Sequence, residues 1–75
     1  STIKLVPNPV QDNLRIETTS SVISKVEFYS LLGHNVLAVY KNFNSINVAG
    51  LTSGIYMVKL YTEDDKIAVK KLIIK

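Results

Sequence analysis

The chain reads as an all-β domain, a seven-stranded antiparallel sandwich, and three observations point there. Apolar residues recur with a period of two along most of its 75 residues, and no window keeps a helical stripe. Turn residues punctuate the apolar runs at short, regular intervals. The length suits one domain, residues 1–75, with too few residues for a second.

Ile3 to Val6 is a short first strand. "PNP", Pro7 to Pro9, then interrupts the pattern. Each proline lacks an N–H for a ladder, fixes φ near about −65°, and pushes the preceding residue toward extended geometry. The elbow therefore ends the first strand and turns the chain toward a second, with Asp12 and Asn13 placed to cap that turn through their side chains. In the second strand Leu14, Ile16 and Thr18 alternate with Arg15 and Glu17; in the third Val26 and Phe28 alternate with Lys25, Glu27 and Tyr29. Asn35 to Tyr40 is a fourth, apolar on both faces, which predicts a more buried position. Ser45 to Val48 gives a fifth, with Ile46 and Val48 on one face. In the sixth, Tyr56, Val58 and Leu60 share a face opposite Ile55, Met57, Lys59 and Tyr61.

The seventh strand, Lys66 to Ile74, slips phase: Ile67 and Val69 point one way, Leu72 and Ile74 the other. A β-bulge at Lys70 and Lys71 would restore one apolar face, and burial on both faces is the alternative. "SLLG", Ser30 to Gly33, fits a type I turn ending in a glycine at positive φ. "TSG", Thr52 to Gly54, marks a corner at which Gly54 takes the same freedom, and "EDDK", Glu63 to Lys66, a polar hairpin loop. Together these elements predict an immunoglobulin-like sandwich with a core of Leu14, Ile16, Val26, Phe28, Val36, Tyr56, Val58 and Leu60. A small open barrel is the alternative.

The chain has no cysteine, hence no disulfide, thiolate nucleophile or Cys-ligated metal. No apolar run approaches the roughly 18 residues of a membrane-spanning helix, and Ser1 to Val10 does not read as a signal peptide. The formal charge of +3 is uneven: residues 1–40 balance, whereas residues 41–75 hold six lysines against three acids. Lys66, Lys70, Lys71 and Lys75 fall in the last ten residues, where there is no acid. Such a strand suits an acidic partner surface, nucleic acid or anionic lipid, while lysine on an edge strand also discourages aggregation.

Catalytic groupings are scarce. His34 is the only histidine and sits beside a hairpin glycine, as an exposed loop residue would. Glu63, Asp64 and Asp65 lack the glycine and spaced oxygens of a calcium loop. No serine lies in a G-x-S-x-G or S-x-x-K motif, and no glycine-rich phosphate loop appears. Tyr29, Tyr40, Tyr56 and Tyr61 form no recognisable RNA-binding motif, and Tyr56 belongs to the core face. The chain therefore reads as neither an enzyme nor a nucleic-acid binder, with no cofactor and no metal.

Four stretches carry a family resemblance. "VPNPVQDNLRI", from Val6 to Ile16, resembles the P-N-P-x-x-D-x-L-x-I opening of type IX secretion C-terminal sorting domains, matching at Pro7, Asn8, Pro9, Asp12, Leu14 and Ile16. "VEFYSLLGHNVL" resembles their central segment around Gly33, and "LTSGIYMVKL" their L-x-x-G-x-Y motif at Leu51, Gly54 and Tyr56. "KKLIIK", comprising Lys70, Lys71, Leu72, Ile73, Ile74 and Lys75, is similar to their basic-apolar ending. Val6 replaces a usual aromatic, Ser30 a usual Asp, and His34 a usual Arg or Lys. The resemblance implies a non-catalytic label at the end of a larger exported protein. It implies passage through the periplasm, recognition of the terminal segment by an outer-membrane translocon, and removal by a sortase-like peptidase, leaving the cargo at the surface or outside the cell. A generic immunoglobulin-like adhesion or carbohydrate-binding module is the competing reading, though the chain has no tryptophan for a sugar platform.

Overall fold

In a computed structural model of the chain, which describes residues 3–75, seven strands follow one another without a helix: β1 (Ile3–Val6), β2 (Asn13–Thr18), β3 (Ile23–Ser30), β4 (Asn35–Val39), β5 (Ile46–Asn47), β6 (Gly54–Thr62) and β7 (Ile67–Ile74). They form two sheets, β1-β2-β5 and β4-β3-β6-β7, whose strand pairs are all antiparallel. This is the sandwich that the alternation predicts, and the two separate sheets exclude a barrel. The core between them holds seven of the eight expected residues, Leu14, Ile16, Val26, Phe28, Tyr56, Val58 and Leu60, joined by Ile3, Leu5, Val10, Ile46, Val48, Leu72 and Ile74.

Val36 is the exception, at 39% exposed. Phe28 faces Leu37 and Tyr29 faces Asn35, so Val36 is the extra residue of a bulge and drops out of the pairing. The fourth strand as a whole is a sheet edge rather than a buried centre. Among the described residues only Leu37 and Val39 of β4 lean onto the core, and no strand lies beyond β4 to extend the cover. Apolar residues on both faces misled the reading, since half of them are solvent-exposed.

The bulge expected at Lys70 and Lys71 is absent. β6 and β7 stay in unbroken register from Gly54 opposite Ile74 to Tyr61 opposite Ile67. Ala68, Lys70, Leu72 and Ile74 therefore share the inner face, and Ile67, Val69, Lys71 and Ile73 the outer one. Burial on both faces fails too, with Ile67 57% and Val69 54% exposed.

Turn chemistry follows the sequence closely. Gly33 has φ 90° and its N–H donates to the Ser30 carbonyl at 2.9 Å. The Ser30 hydroxyl accepts from the His34 N–H at 3.2 Å. Gly54 has φ 154°. In the acidic hairpin, Asp65 takes φ 64° while the Thr62 hydroxyl accepts from the Lys66 N–H at 3.1 Å and donates to Asp64 Oδ1.

Candidate functional site

The elbow does more than route the chain. Pairing of β1 with β2 stops at Val6, and both Val6–Pro7 and Asn8–Pro9 are cis. The chain then crosses to the other sheet, where Val10 forms an isolated parallel bridge with Ile74. The Val10 N–H donates to the Ile73 carbonyl at 2.9 Å, and the Val10 carbonyl accepts from the Lys75 N–H at 2.8 Å. Just before it, the Asn8 carboxamide behaves like a peptide group. Its Nδ2 donates to the Lys71 carbonyl at 2.9 Å and its Oδ1 accepts from the Ile73 N–H at 3.0 Å. Four hydrogen bonds thus clamp the first motif onto the last. Among the described residues Asp12 and Asn13 make no side-chain cap on the turn; instead the Asp12 carbonyl accepts from the Val48 N–H at 2.7 Å.

The L-x-x-G-x-Y motif is a corner of the same kind. Tyr56 is buried at 6% exposure, and its hydroxyl donates to the Thr52 carbonyl at 2.6 Å, four residues upstream. A tyrosine that ties the start of a strand to the preceding turn is a hallmark of immunoglobulin-like sandwiches. Leu51 packs against the core beside it.

The terminal segment splits into two chemistries. Leu72 and Ile74 are 0% and 3% exposed and belong to the core. Lys71 and Ile73 lie on the outer face, Lys70 is exposed at an inner-face position opposite Val58, and Lys75 is exposed. The lysines are therefore the segment's accessible charges.

On the outer face, Glu27 gathers its neighbours. Its Oε1 accepts from the Tyr61 and Tyr29 hydroxyls at 2.7 and 2.9 Å, and Lys25 Nζ lies 3.6 Å from Oε2. The Tyr61 and Tyr29 hydrogen bonds, with Lys25 and Lys59 nearby, hold the Glu27 carboxyl below its ordinary range. The same carboxylate pushes Tyr61 up to about 12 and also raises Tyr29. Lys25 Nζ sits 4.2 Å over the Tyr61 ring. The Glu27 carboxylate is thus engaged by both tyrosine hydroxyls and by Lys25. Asp64 is likewise held low, first by the Thr62 hydroxyl.

What this arrangement offers is a strand end, an elbow and a set of exposed lysines on a small two-sheet sandwich. A sequence profile described as "Secretion system C-terminal sorting domain" matches residues 4–75. The chain belongs to that family, a family of sorting signals and not of catalysts. It is also 30% identical over 77 residues to the ulvan lyase NLR42 of Nonlabens ulvanivorans. That match covers 99% of this chain and 14% of the lyase, so the chain spans a small fraction of its relative's length. Both clamped motifs were visible in the sequence, but their contact was not, because it joins residues 63 and 65 positions apart.

Proposed function

We propose that residues 1–75 act as a folded export label, recognised through the β7 end by the outer-membrane type IX translocon. The cargo is attached on the N-terminal side, passes through the periplasm, and is delivered to the surface or the medium. A sortase-like peptidase removes the label near its N-terminal border. One observation carries the reading beyond family membership. Leu72 and Ile74 are committed to the core while Lys70, Lys71 and Lys75 stay exposed, so the folded domain presents a basic signal without unfolding.

The test is a fusion of this chain to a periplasmic reporter in a cell with the type IX machinery. The wild-type fusion is expected outside the cell. Changing Lys70 and Lys71 to Gln should reduce export while stability moves by less than about 0.5 kcal/mol, as is usual for surface changes. Full export by that double variant would remove the lysines from the mechanism. A wild-type fusion retained in the periplasm would favour an adhesion module.

A further inference from the structure

The free edge of β7 is divided in two. Backbone N–H and C=O groups alternate in direction along a strand with the side chains. Asn8 and Val10 take the outward groups at Lys71 C=O, Ile73 and Lys75, which fixes the odd-numbered residues as the outward ones. By the same parity Ile67 and Val69 aim both their N–H and C=O groups away from β6, and Lys71 its N–H. None of these groups has a partner among the described residues. Beside them lies a groove of about 180 Å³ lined by Ile3, Thr62, Ala68, Lys66 and Lys70 among others.

The lysines define what fits. Lys66 lies 3.8 Å from Asp64, whereas Lys70 has no acidic partner among the described residues. Lys70 also occupies an inner-face position, opposite the fully buried Val58. A charge pointing inward on an edge strand blocks pairing with an apolar strand. A strand that places a carboxylate there is accepted instead, so the same lysine that excludes most partners selects one kind. On the outer face the neighbours would be Ile67 and Val69, both exposed and apolar. The opposite edge of this sheet is less suitable, because the bulge at Val36 interrupts β4.

We propose that residues 67–70 of β7 form an acceptor for an extended segment of a partner protein. That segment would be acidic toward Lys70, apolar toward Val69, and added as an extra strand. The site refines the recognition reading above and rests on it only for the partner's place in export. Asn8 sets the upper limit of the site and the Thr62–Lys66 hairpin its lower one.

The test uses the whole 75-residue chain and a capped octapeptide alternating glutamate and valine, followed by amide NMR. Saturable shifts are expected at Ile67, Val69 and Lys71. Val69→Pro removes the outward donor without touching the bonds to β6, and proline is tolerated on a strand edge for that reason. It should weaken binding at least fivefold at unchanged cooperative melting. Lys70→Glu should weaken it at least tenfold and transfer preference to a lysine–valine peptide, a charge swap that stands even if the proline variant does not fold. Equal binding by Lys70→Glu, or wild-type shifts confined to β4, would overturn the site. A wild-type fusion that is not exported, from a domain that still binds the peptide, would instead overturn the sorting reading and support the site.

Discussion

Asn8→Ala is the most informative single change, because it separates the elbow's backbone from its side chain. The substitution removes two hydrogen bonds, Nδ2 to the Lys71 carbonyl at 2.9 Å and the Ile73 N–H to Oδ1 at 3.0 Å. Each net bond contributes about 0.5–1.5 kcal/mol, and both lie on an exposed edge where water competes, so the low half of that range applies. The expected loss is about 1–2 kcal/mol. A chain of 75 residues holds roughly 4–11 kcal/mol in total at the usual stability per residue. At about 4–8 °C per kcal/mol for a domain of this size, Tm should fall by about 4–16 °C. Local opening should be larger than global loss, so hydrogen exchange at the Ile73 amide should accelerate more than at Val58. Asn8→Asp is the control: it keeps the acceptor for Ile73 but sets a carboxylate against the Lys71 carbonyl, and should not restore the parent Tm. An unchanged Tm together with unchanged exchange at Ile73 would refute the clamp.

Three other outcomes are expected. Phe28→Ala, at a fully buried site, should cost about 3–5 kcal/mol by chemical denaturation, enough to threaten folding. At Gly33 a Cβ would meet nothing within 4 Å, yet φ is 90°; Gly33→Ala should therefore destabilise through the backbone alone, by about 1–2 kcal/mol. Glu27 is held low in the fold, so its contribution is present above the unfolded carboxyl pKa and lost as pH falls through the folded one. Tyr61, raised to about 12, contributes below its ordinary value near 10 and loses that contribution as pH rises toward about 12. Glu27→Gln should flatten both arms of a Tm-against-pH profile.

The strands were legible because each alternates cleanly against water on one side: Tyr56, Val58 and Leu60 could hardly face elsewhere. Positive φ at Gly33 and Gly54 followed from turn chemistry that is local to four or five residues. Strand order was not legible, and the two misreadings stem from it. Without knowing that β4 is an edge, the apolar residues on both its faces look buried, and Val36 looks like core. Without knowing that β7 is the other edge, Lys70 on an inner-face position looks like a phase error to be repaired. In the site, the lysines and both motifs could be read as letters, but the clamp that Asn8 makes across the chain could not. Side-chain amides carry no periodic signature, and nothing local marks their partner.

The meeting of Val10 with Ile73 and Lys75 also sets the order in which the domain can come into being. A ribosome releases the chain N-terminus first, at about 5–20 residues per second. Until Leu72 and Ile74 have emerged, the core lacks two of its buried side chains, β6 lacks a neighbour along its whole length, and the elbow has nothing to grip. Folding is therefore postponed until β7 has emerged. A product broken off ahead of β7 should remain open and protease-sensitive, so that this sandwich closes only on a chain translated as far as its final strand.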